Sequence, residues 1–375
     1  MDLFITCAQR LEPLLVEELG QLGFMHVEAG FRGVHVKNVN IDAVYRINYL
    51  SRLAGRVLMP LASFRCYEAK SLYGGIIKVD WLKYIARGKT FAIDANVSHP
   101  QLRNSLFAAQ VAKDAICDQL RDRIGIRPNI DVQEPDVQLN LYIHDQWAIM
   151  SVDTSGKPLS RRGYRMESVE APFQETLAAA LLMLAKYQGN EILLDPCCGS
   201  GTILIEAALI ASKTPPGFLR KQWGFFSLPE FSQTEWLKVK NDADSKKIDF
   251  PKHQIFGCDI NKQAVHSTKV NARATGLHQQ IEVSNCDFRE FYPTVVPNLV
   301  ITNPPHGRRL EDEESLCPLY RSLGDFLKRQ TAKPAKGFVF TGSPMLSKEV
   351  GLAAKRRYVL DNGGVESRLL EYDLF

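Results

Sequence analysis

The chain has 375 residues, of which 45% are hydrophobic and 23% are charged. That length exceeds one compact core and predicts two or three units, and the composition is that of a soluble globular protein rather than a disordered chain. The formal net charge of +4 permits nucleic-acid binding without establishing it, because local clustering of charge decides the matter.

Neither a targeting signal nor a membrane span is predicted. The start is acidic at Asp2, and no charged leader precedes an apolar stretch. The longest apolar helix candidate, Leu177 to Ala185, is far shorter than the roughly 20 residues that span a bilayer. Eight cysteines show no paired metal-ligand spacing. We therefore expect a cytoplasmic protein with reduced thiols, no disulfide, no metal and no membrane partner.

Short strands and helices alternate through the first 155 residues. Periodicity predicts an opening unit over residues 1–60 with a strand at Leu3 to Thr6, a helix at Leu11 to Leu22 and a strand at Phe31 to Val36. A second unit over residues 61–155 is predicted to contain a strand at Phe91 to Asn96, a helix at Ser105 to Arg121, and strands at Val137 to His144 and Gln146 to Val152.

Basic residues fall into two groups in this half of the chain. Arg103 is one of several basic residues around the predicted helix at Ser105. A solvent-exposed helix face accounts for these residues about as well as contact with RNA does. Residues 156–170 resemble a linker, and here Arg161, Arg162 and Arg165 surround Tyr164. This combination suits phosphate contact plus stacking, so RNA contact is favoured there.

Residues 191–202 predict a ligand-binding turn. An apolar strand stops at Asp195, the chain turns through Gly199 and Gly201, and a helix starts at Thr202. Glycines can adopt positive φ and have no Cβ to keep a ligand from the backbone N–H groups. The D-x-x-x-G-x-G spacing differs from dinucleotide and phosphate-loop motifs, and an ordinary strand-to-helix turn is the alternative. The aromatic-rich stretch 213–245 that follows is interpreted as an insertion beside the active site.

Two further strands end in acidic residues. The strand at 254–257 leads to Asp259, with Asn261 suited to cap the next helix, and the strand at 281–283 leads to Asp287 and Phe288. An acid at the end of the second strand is where an adenosyl ribose is expected. Each aspartate alone is more typical of a helix cap, but the series after Asp195 favours ligand binding.

A fourth strand delivers Asn303, Pro304, Pro305 and His306. The prolines stiffen an extended strand end. The Asn303 side-chain oxygen and the Pro304 carbonyl are then placed to hold the hydrogens of a purine amine and aim its lone pair at a sulfonium methyl group. His306 is expected to stack on the base. The alternative is a loop that merely ends a strand.

The motifs LLDPCCGSGT (193–202), GCDIN (257–261), CDF (286–288) and NPPHG (303–307), with APFQETLA (171–178) upstream, resemble S-adenosylmethionine-dependent amino-methyltransferases. The chain is similar over nearly its whole length to the THUMP-containing RNA guanine-N2 methyltransferase family. One departure is His306, where family members usually carry Tyr, Phe or Trp, so the stacking area on the base is smaller.

The resemblance implies a fold class and a domain order. We expect an α/β protein whose Rossmann-like class I methyltransferase sheet carries an antiparallel closing hairpin and is preceded by ferredoxin-like and THUMP α+β units. The implied boundaries are a ferredoxin-like domain at 1–60, a THUMP RNA-binding domain at 61–155, a linker at 156–170 and a methyltransferase domain at 171–375.

The resemblance also implies the site, the cofactor and the partner. S-adenosylmethionine is expected to contact Asp195, Gly199, Gly201 and Thr202 at its methionine end, Asp259 at the ribose, and Asp287 with Phe288 at the adenine, with further contacts from Phe173, Thr176, Cys198 and Ile260. The expected reaction is methylation of guanosine N2 in structured RNA, with ribosomal RNA, specifically 23S, favoured and transfer RNA as the alternative. Adenine-N6 methylation and a non-catalytic RNA-binding assembly factor remain open, as does the oligomeric state.

Overall fold

The computed structural model describes residues 1–168, 172–307 and 310–375. Two seven-stranded sheets organise this part of the chain, one in each half. Ala171, the predicted first residue of the methyltransferase domain, lies outside the described residues, as does the end of the predicted linker. No helix in the described ranges is both long and apolar enough to cross a membrane.

The first sheet has the order β2-β3-β1-β4-β7-β6-β5. Its strands are β1 (Leu3–Thr6), β2 (Val27–Gly30), β3 (Gly33–Val36), β4 (Arg56–Arg65), β5 (Phe91–Ser98), β6 (Val137–His144) and β7 (Trp147–Asp153). The ten-residue β4 joins the two predicted units, because Leu58 pairs with Phe4 of β1 on one edge and with Asp153 of β7 on the other. The two units therefore share one continuous sheet.

Four helices accompany this sheet: α1 (Glu12–Gln21), α2 (Ile41–Leu50), α3 (Ala69–Ile76) and α4 (Ser105–Ile124). The start of α4 is fixed by Asn104, whose side-chain oxygen accepts a 3.1 Å hydrogen bond from the Phe107 amide. Gly125 ends the helix in the left-handed conformation with φ 72°. An asparagine N-cap and a left-handed glycine at the C-terminal end are both common at helix ends and agree with the predicted helix.

The second sheet has the order β10-β9-β8-β11-β12-β14-β13. Its strands are β8 (Leu193–Asp195), β9 (Ile255–Asp259), β10 (Ile281–Asn285), β11 (Leu299–Thr302), β12 (Ala335–Thr341), β13 (Arg356–Asn362) and β14 (Val365–Leu374). Strands β8 to β12 pair in parallel, whereas β14 runs antiparallel to β12 and to β13. The predicted Rossmann-like sheet with an antiparallel closing hairpin is confirmed.

The described residues of this half form six α-helices: α5 (Glu175–Leu184), α6 (Thr202–Ala211), α7 (Gln233–Asp244), α8 (Lys262–Thr275), α9 (Leu310–Arg329) and α10 (Pro344–Glu349). Helix α6 is almost entirely buried, and even Glu206 on it has no exposed surface. A helix that is apolar on all sides belongs inside a protein. The glycine turn at residues 195–202, which leads into this helix, is consequently held by the core.

The aromatic insertion packs against the first half of the chain. Trp223 and Phe225 are buried, and Trp236 of α7 contacts Tyr45 and Tyr49 of α2 with ring centroids 6.0 and 5.3 Å apart. The Tyr49 hydroxyl donates a 2.8 Å hydrogen bond to Asp244. These aromatic groups therefore bury their area against α2, and the position of the insertion beside the active site stays a prediction.

The predicted linker is anchored by buried residues as far as Tyr164, whereas Met166 beyond it is 68% exposed. Leu159 is buried, and Arg162 and Tyr164 are only 2% and 1% exposed. Arg162 donates hydrogen bonds to the carbonyl oxygens of Leu159 and Arg52. The segment thus connects the two halves through buried contacts, and its polar composition does not make it a spacer.

Candidate active site

The candidate site lies where parallel strands of the second sheet end. The chain order reverses between β8 and β11, and an open α/β sheet binds ligands at such a switch point. A cavity of about 460 Å³ opens there. Most of its lining comes from the ends of β8, β9, β10 and β11 and from the helices that follow them, with Phe173 from the segment before α5. The lining residues are Phe173, Asp195 to Ser200, Thr202, Ile203, Asp259 to Asn261, Ala264, Asp287 to Arg289, Asn303, Pro305 and Leu319.

The two glycines of the turn have different roles. Gly199 lines the cavity at φ 55°, and a Cβ on it would meet nothing within 4 Å. Its Cα therefore faces open space, but its amide donates to Asp259 and its carbonyl oxygen accepts a hydrogen bond from the Thr268 hydroxyl, so ligand contact through the Gly199 backbone stays a prediction. Gly201 caps α6 at φ 81°, but a Cβ there would lie 2.5 Å from Cγ2 of Thr268. The missing side chain of Gly201 makes room for α8, so its predicted ligand contact is not supported.

Asp259 joins the second strand to the glycine turn. Its Oδ2 accepts a 2.9 Å hydrogen bond from the Gly199 amide, and its Oδ1 accepts one of the same length from the Asn261 amide. Each carboxylate oxygen keeps a second lone pair that a ribose hydroxyl can use. Ile260, next in the chain, is 73% exposed and lines the cavity mouth as an apolar surface.

Asp287 lies at the third strand end, but its charge is paired. Both carboxylate oxygens accept hydrogen bonds from the Arg289 side chain, and this bonding holds the pKa of Asp287 below its usual range. Phe288 is buried against Phe326, with ring centroids 5.6 Å apart, while it also borders the cavity. Contact of Asp287 and Phe288 with adenine stays a prediction.

The strand end after β11 carries an unpartnered acceptor. Oδ1 of Asn303 is buried and has no hydrogen-bond partner among the described residues. An unsatisfied buried acceptor costs roughly 1–3 kcal/mol, which a bound amine offsets by donating a hydrogen. Pro305 lies exposed beside it on the same cavity wall. This is the feature expected of a pocket that holds an amine.

The two other groups predicted at this strand end are partly engaged with each other. His306 Nδ1 lies 3.2 Å from the carbonyl oxygen of Pro304, so this nitrogen is the donor in that contact. The imidazole is half-buried, and the contact fixes its orientation. Neither Pro304 nor His306 borders the cavity. Their contacts with the target base remain predictions, and the Pro304 oxygen keeps only one lone pair for that purpose.

Arg165 holds the turn at residues 195–202 (the cofactor turn), a role that the sequence did not predict. Its guanidinium donates to the Phe173 carbonyl at 2.8 Å, to Ser200 Oγ at 3.0 Å, to Thr202 Oγ1 at 3.0 Å and to Glu175 at 2.9 Å. These bonds tie the segment before α5 to the turn before α6. The predicted phosphate contact of Arg165 is not supported, because its donors are used inside the protein.

The predicted RNA contact of Arg162 is not supported either. It is buried, and its Nε lies 3.5 Å from a carboxylate oxygen of Glu206, which also accepts a 3.0 Å hydrogen bond from the Tyr164 hydroxyl. Neither Arg162 nor Tyr164 can therefore reach a phosphate or base at the surface. Arg103 and Arg161 are exposed, which leaves their RNA contact a prediction.

The remaining predicted residues lie close to the turn. Phe173 borders the cavity and packs on Phe340, with ring centroids 5.4 Å apart. Cys198 borders the cavity too, and burial raises the pKa of its thiol well above the ordinary value. Thr176 is buried in α5 and does not border the cavity. In the described residues no His, Cys, Asp and Glu side chains cluster as a metal site.

The cavity residues fit S-adenosylmethionine. Gly199 leaves space beside its Cα, and the carboxylates of Asp195 and Asp259 are acceptors for ammonium and hydroxyl groups. Ile260 offers an apolar surface at the mouth. A cationic sulfonium is also favoured by a cavity with carboxylates on its wall. These residues would hold the cofactor, which supplies an electrophilic methyl group when bound.

Family models match three successive parts of the chain. Residues 2–58 match the RlmL ferredoxin-like domain, residues 66–153 match the THUMP domain, and residues 162–370 match the RMKL-like methyltransferase domain. The three matches follow the predicted order of the units.

Relatives and solved structures match over the full chain. The Synechocystis protein named "Putative RNA methyltransferase slr0064" is 37% identical over 99% of this chain and 96% of its own length. The ribosomal RNA large subunit methyltransferase K/L of Syntrophotalea carbinolica is 37% identical over 99% of this chain but only 53% of its own length. This chain thus spans about half the length of the K/L relatives.

Among solved structures, the methyltransferase SMU.472 in complex with S-adenosylhomocysteine has a TM-score of 0.89 and 26% sequence identity, with coverage of 100% of this chain and 98% of that one. The fold, the site and these matches agree. The chain belongs to the S-adenosylmethionine-dependent methyltransferase family that joins an RlmL ferredoxin-like domain and a THUMP domain to an RMKL-like methyltransferase domain.

Proposed function

We propose that the protein transfers a methyl group from S-adenosylmethionine to the exocyclic N2 amine of a guanosine in structured RNA, with 23S ribosomal RNA as the substrate. The observation that carries this proposal is the buried, unpartnered Oδ1 of Asn303 on the wall of the cofactor cavity. RNA as the substrate is supported by the THUMP match and by the names of the relatives.

Asn303 acts on the amine through orientation. A purine amine is a weak nucleophile because its lone pair is delocalised into the ring. When Oδ1 of Asn303 accepts one amine hydrogen, the nitrogen is fixed relative to the cofactor cavity that the same side chain borders. Holding two reactants in line is worth several kcal/mol of the barrier, of the order of 7–11 in the best cases.

The rest of the site stabilises that arrangement. The prolines after Asn303 limit backbone motion, and Thr302 before it is hydrogen-bonded to Asp195 at 2.7 Å. As the N–C bond forms and the S–C bond breaks, the amine nitrogen gives up one proton to water. No base is needed before attack, because the amine nitrogen loses its proton only as the N–C bond forms.

The proposal is tested by mass spectrometry of nucleosides from ribosomal and transfer RNA of cells with and without this gene. We expect loss of N2-methylguanosine from the large-subunit RNA. Loss of N6-methyladenosine would instead favour the adenine activity. Unchanged nucleosides, together with retained cofactor binding, would point to a non-catalytic RNA-binding factor.

A further inference from the structure

A second cavity, of about 650 Å³, lies between the two halves of the chain. One wall comes from the first sheet and its loops, and the other comes from the packed connecting segment and the aromatic insertion. It is lined by Lys89, Gln133 to Asp136, Gln138, Gly156, Lys157, Arg161, Leu219 to Gly224, Phe226 and Ser227. None of these residues borders the cofactor cavity.

The lining carries an excess of positive charge. Lys89 is paired with Asp136 at 2.8 Å, and Lys157 with Glu134 at 2.9 Å. The cations that remain are Arg161, Arg220 and Lys221, and none has a carboxylate within ion-pair distance in the described part of the chain. Like charges gathered in a concave surface raise the local potential and attract an anion.

Arg220 borders this cavity, and hydrogen bonds hold its side chain in place. It donates hydrogen bonds to the carbonyl oxygens of Ser155, Lys157 and Pro158 at 3.0, 2.7 and 3.0 Å, and its guanidinium lies 4.7 Å from the centre of the Trp223 ring. Two of its five N–H groups make no hydrogen bond within the described residues. Arg220 is thus held rigid while keeping donors for an incoming oxyanion.

The cavity is close to the cofactor site along the chain. Arg161 borders it, whereas Arg165 binds the turn that borders the cofactor cavity. Four residues span at most about 14 Å even when fully extended. The backbone that borders the second cavity therefore lies within this distance of the backbone of Arg165, whose side chain holds the cofactor turn.

We propose that this junction cavity binds the phosphodiester backbone of the substrate RNA next to the target nucleotide, through Arg161, Arg220 and Lys221. The inference rests on the proposed function, and it adds a binding site at the junction of the two halves. Phosphate contacts position an RNA without reading its sequence, so the site sets affinity and placement but not the identity of the base.

The test uses the full chain with Arg161→Gln and Lys221→Gln combined, two exposed positions where glutamine removes charge without burying a polar group. Binding of a fluorescent single-stranded RNA oligonucleotide is measured over a range of salt concentrations. Each phosphate contact contributes about 0.7 to the slope of log affinity against log salt, so the slope should become shallower by about 1.4. Lys238→Gln on α7 is the matched control, since Lys238 is exposed and lies outside this cavity.

Methyl transfer with unmodified large-subunit RNA gives the second readout. The double variant should show a higher KM for RNA with kcat and S-adenosylhomocysteine affinity unchanged. A salt slope and RNA affinity equal to those of the wild type would overturn the junction site. Failure of the proposed function would look different, because the wild type would bind the oligonucleotide with the steeper slope yet methylate no RNA.

Discussion

The Thr302 hydroxyl donates a 2.7 Å hydrogen bond to Oδ1 of Asp195, which links the strand end of the cofactor turn to the residue before Asn303. Asp195 is fully buried, and its Oδ1 also accepts a bond from the Cys197 amide at 3.1 Å. Burial raises the pKa of this carboxyl group to about 7, although both hydrogen bonds act in the opposite direction.

The raised pKa of Asp195 predicts a pH dependence of stability. Because the folded-state pKa of about 7 exceeds the ordinary 3.8, the folded protein holds a proton that the unfolded chain has lost between these values. The stabilising contribution is present below pH 4 and falls as pH rises to 7, by about 4 kcal/mol at 1.36 kcal/mol per pKa unit. Chemical denaturation of wild type and Asp195→Asn should differ in this way, since asparagine does not titrate. A wild-type-minus-variant difference that stays flat from pH 4 to 7 would exclude the effect.

Arg165→Met should weaken cofactor binding. The substitution removes the bonds to Ser200 and Thr202, which hold the turn that borders the cavity. Loss of one or two such bonds, at about 1.5 kcal/mol each, predicts a 10- to 100-fold higher Kd for S-adenosylhomocysteine by calorimetry. Arg165→Lys should recover part of this affinity through one retained bond. Equal Kd values for the methionine variant and wild type would remove Arg165 from this role.

Arg162 and Arg161 are adjacent in sequence but should respond oppositely to substitution. Arg162→Met leaves Glu206 buried without that partner and should lower the free energy of unfolding by about 3–5 kcal/mol, with RNA affinity of the folded protein unchanged. Arg161→Met should leave stability within about 0.5 kcal/mol, as surface changes usually do, and weaken RNA binding. Denaturant titration and RNA binding on both variants check this pair, and reversed phenotypes would contradict the assignment.

Arg162 and Arg165 show which features of the structure could not be predicted from the sequence. Local signals were sufficient to predict the strands, the helix that begins at Ser105 and the order of the acidic strand ends, because alternation, helix periodicity and glycine turns act over a few residues. The environment of Arg162 and Arg165 depends on contacts with residues distant in sequence, such as Arg52, which is 110 positions from Arg162, and Thr202, which is 37 positions from Arg165. A run of arginines near Tyr164 looks the same in sequence whether it is solvated or buried.

Gly201 and the insertion illustrate the same limit. The positive φ of both glycines in the turn follows from the motif, but only the packing of Thr268 shows that Gly201 faces a helix rather than the ligand. The aromatic residues at 223–236 show no periodicity from which their packing partner could be predicted. Their burial against α2 depends on tertiary contacts. The cofactor turn was predictable because its motif is local in sequence. The side chains that hold it in place, such as Arg165, are distant in sequence and were not predictable.

Asn303→Ala should abolish most methyl transfer without loss of cofactor affinity. Its Oδ1 has no partner within the described chain, so the substitution breaks no hydrogen bond that holds the cofactor turn. By analogy with removal of one positioned oxyanion-hole donor, kcat should fall by about 10²- to 10³-fold. Single-turnover assays with RNA and calorimetry with S-adenosylhomocysteine separate the two effects. Near wild-type kcat would show that Asn303 does not hold the target amine.

The most direct measurement of the proposed activity is the identity of the methylated nucleoside made by the purified chain. Large-subunit ribosomal RNA from cells that lack the gene is incubated with the protein and S-adenosylmethionine carrying a labelled methyl group, then digested to nucleosides and separated. The account predicts label in N2-methylguanosine, formed about 10²- to 10³-fold more slowly when Asn303→Ala replaces the wild type. Label in N6-methyladenosine, or no label with a protein that still binds S-adenosylhomocysteine, would contradict it.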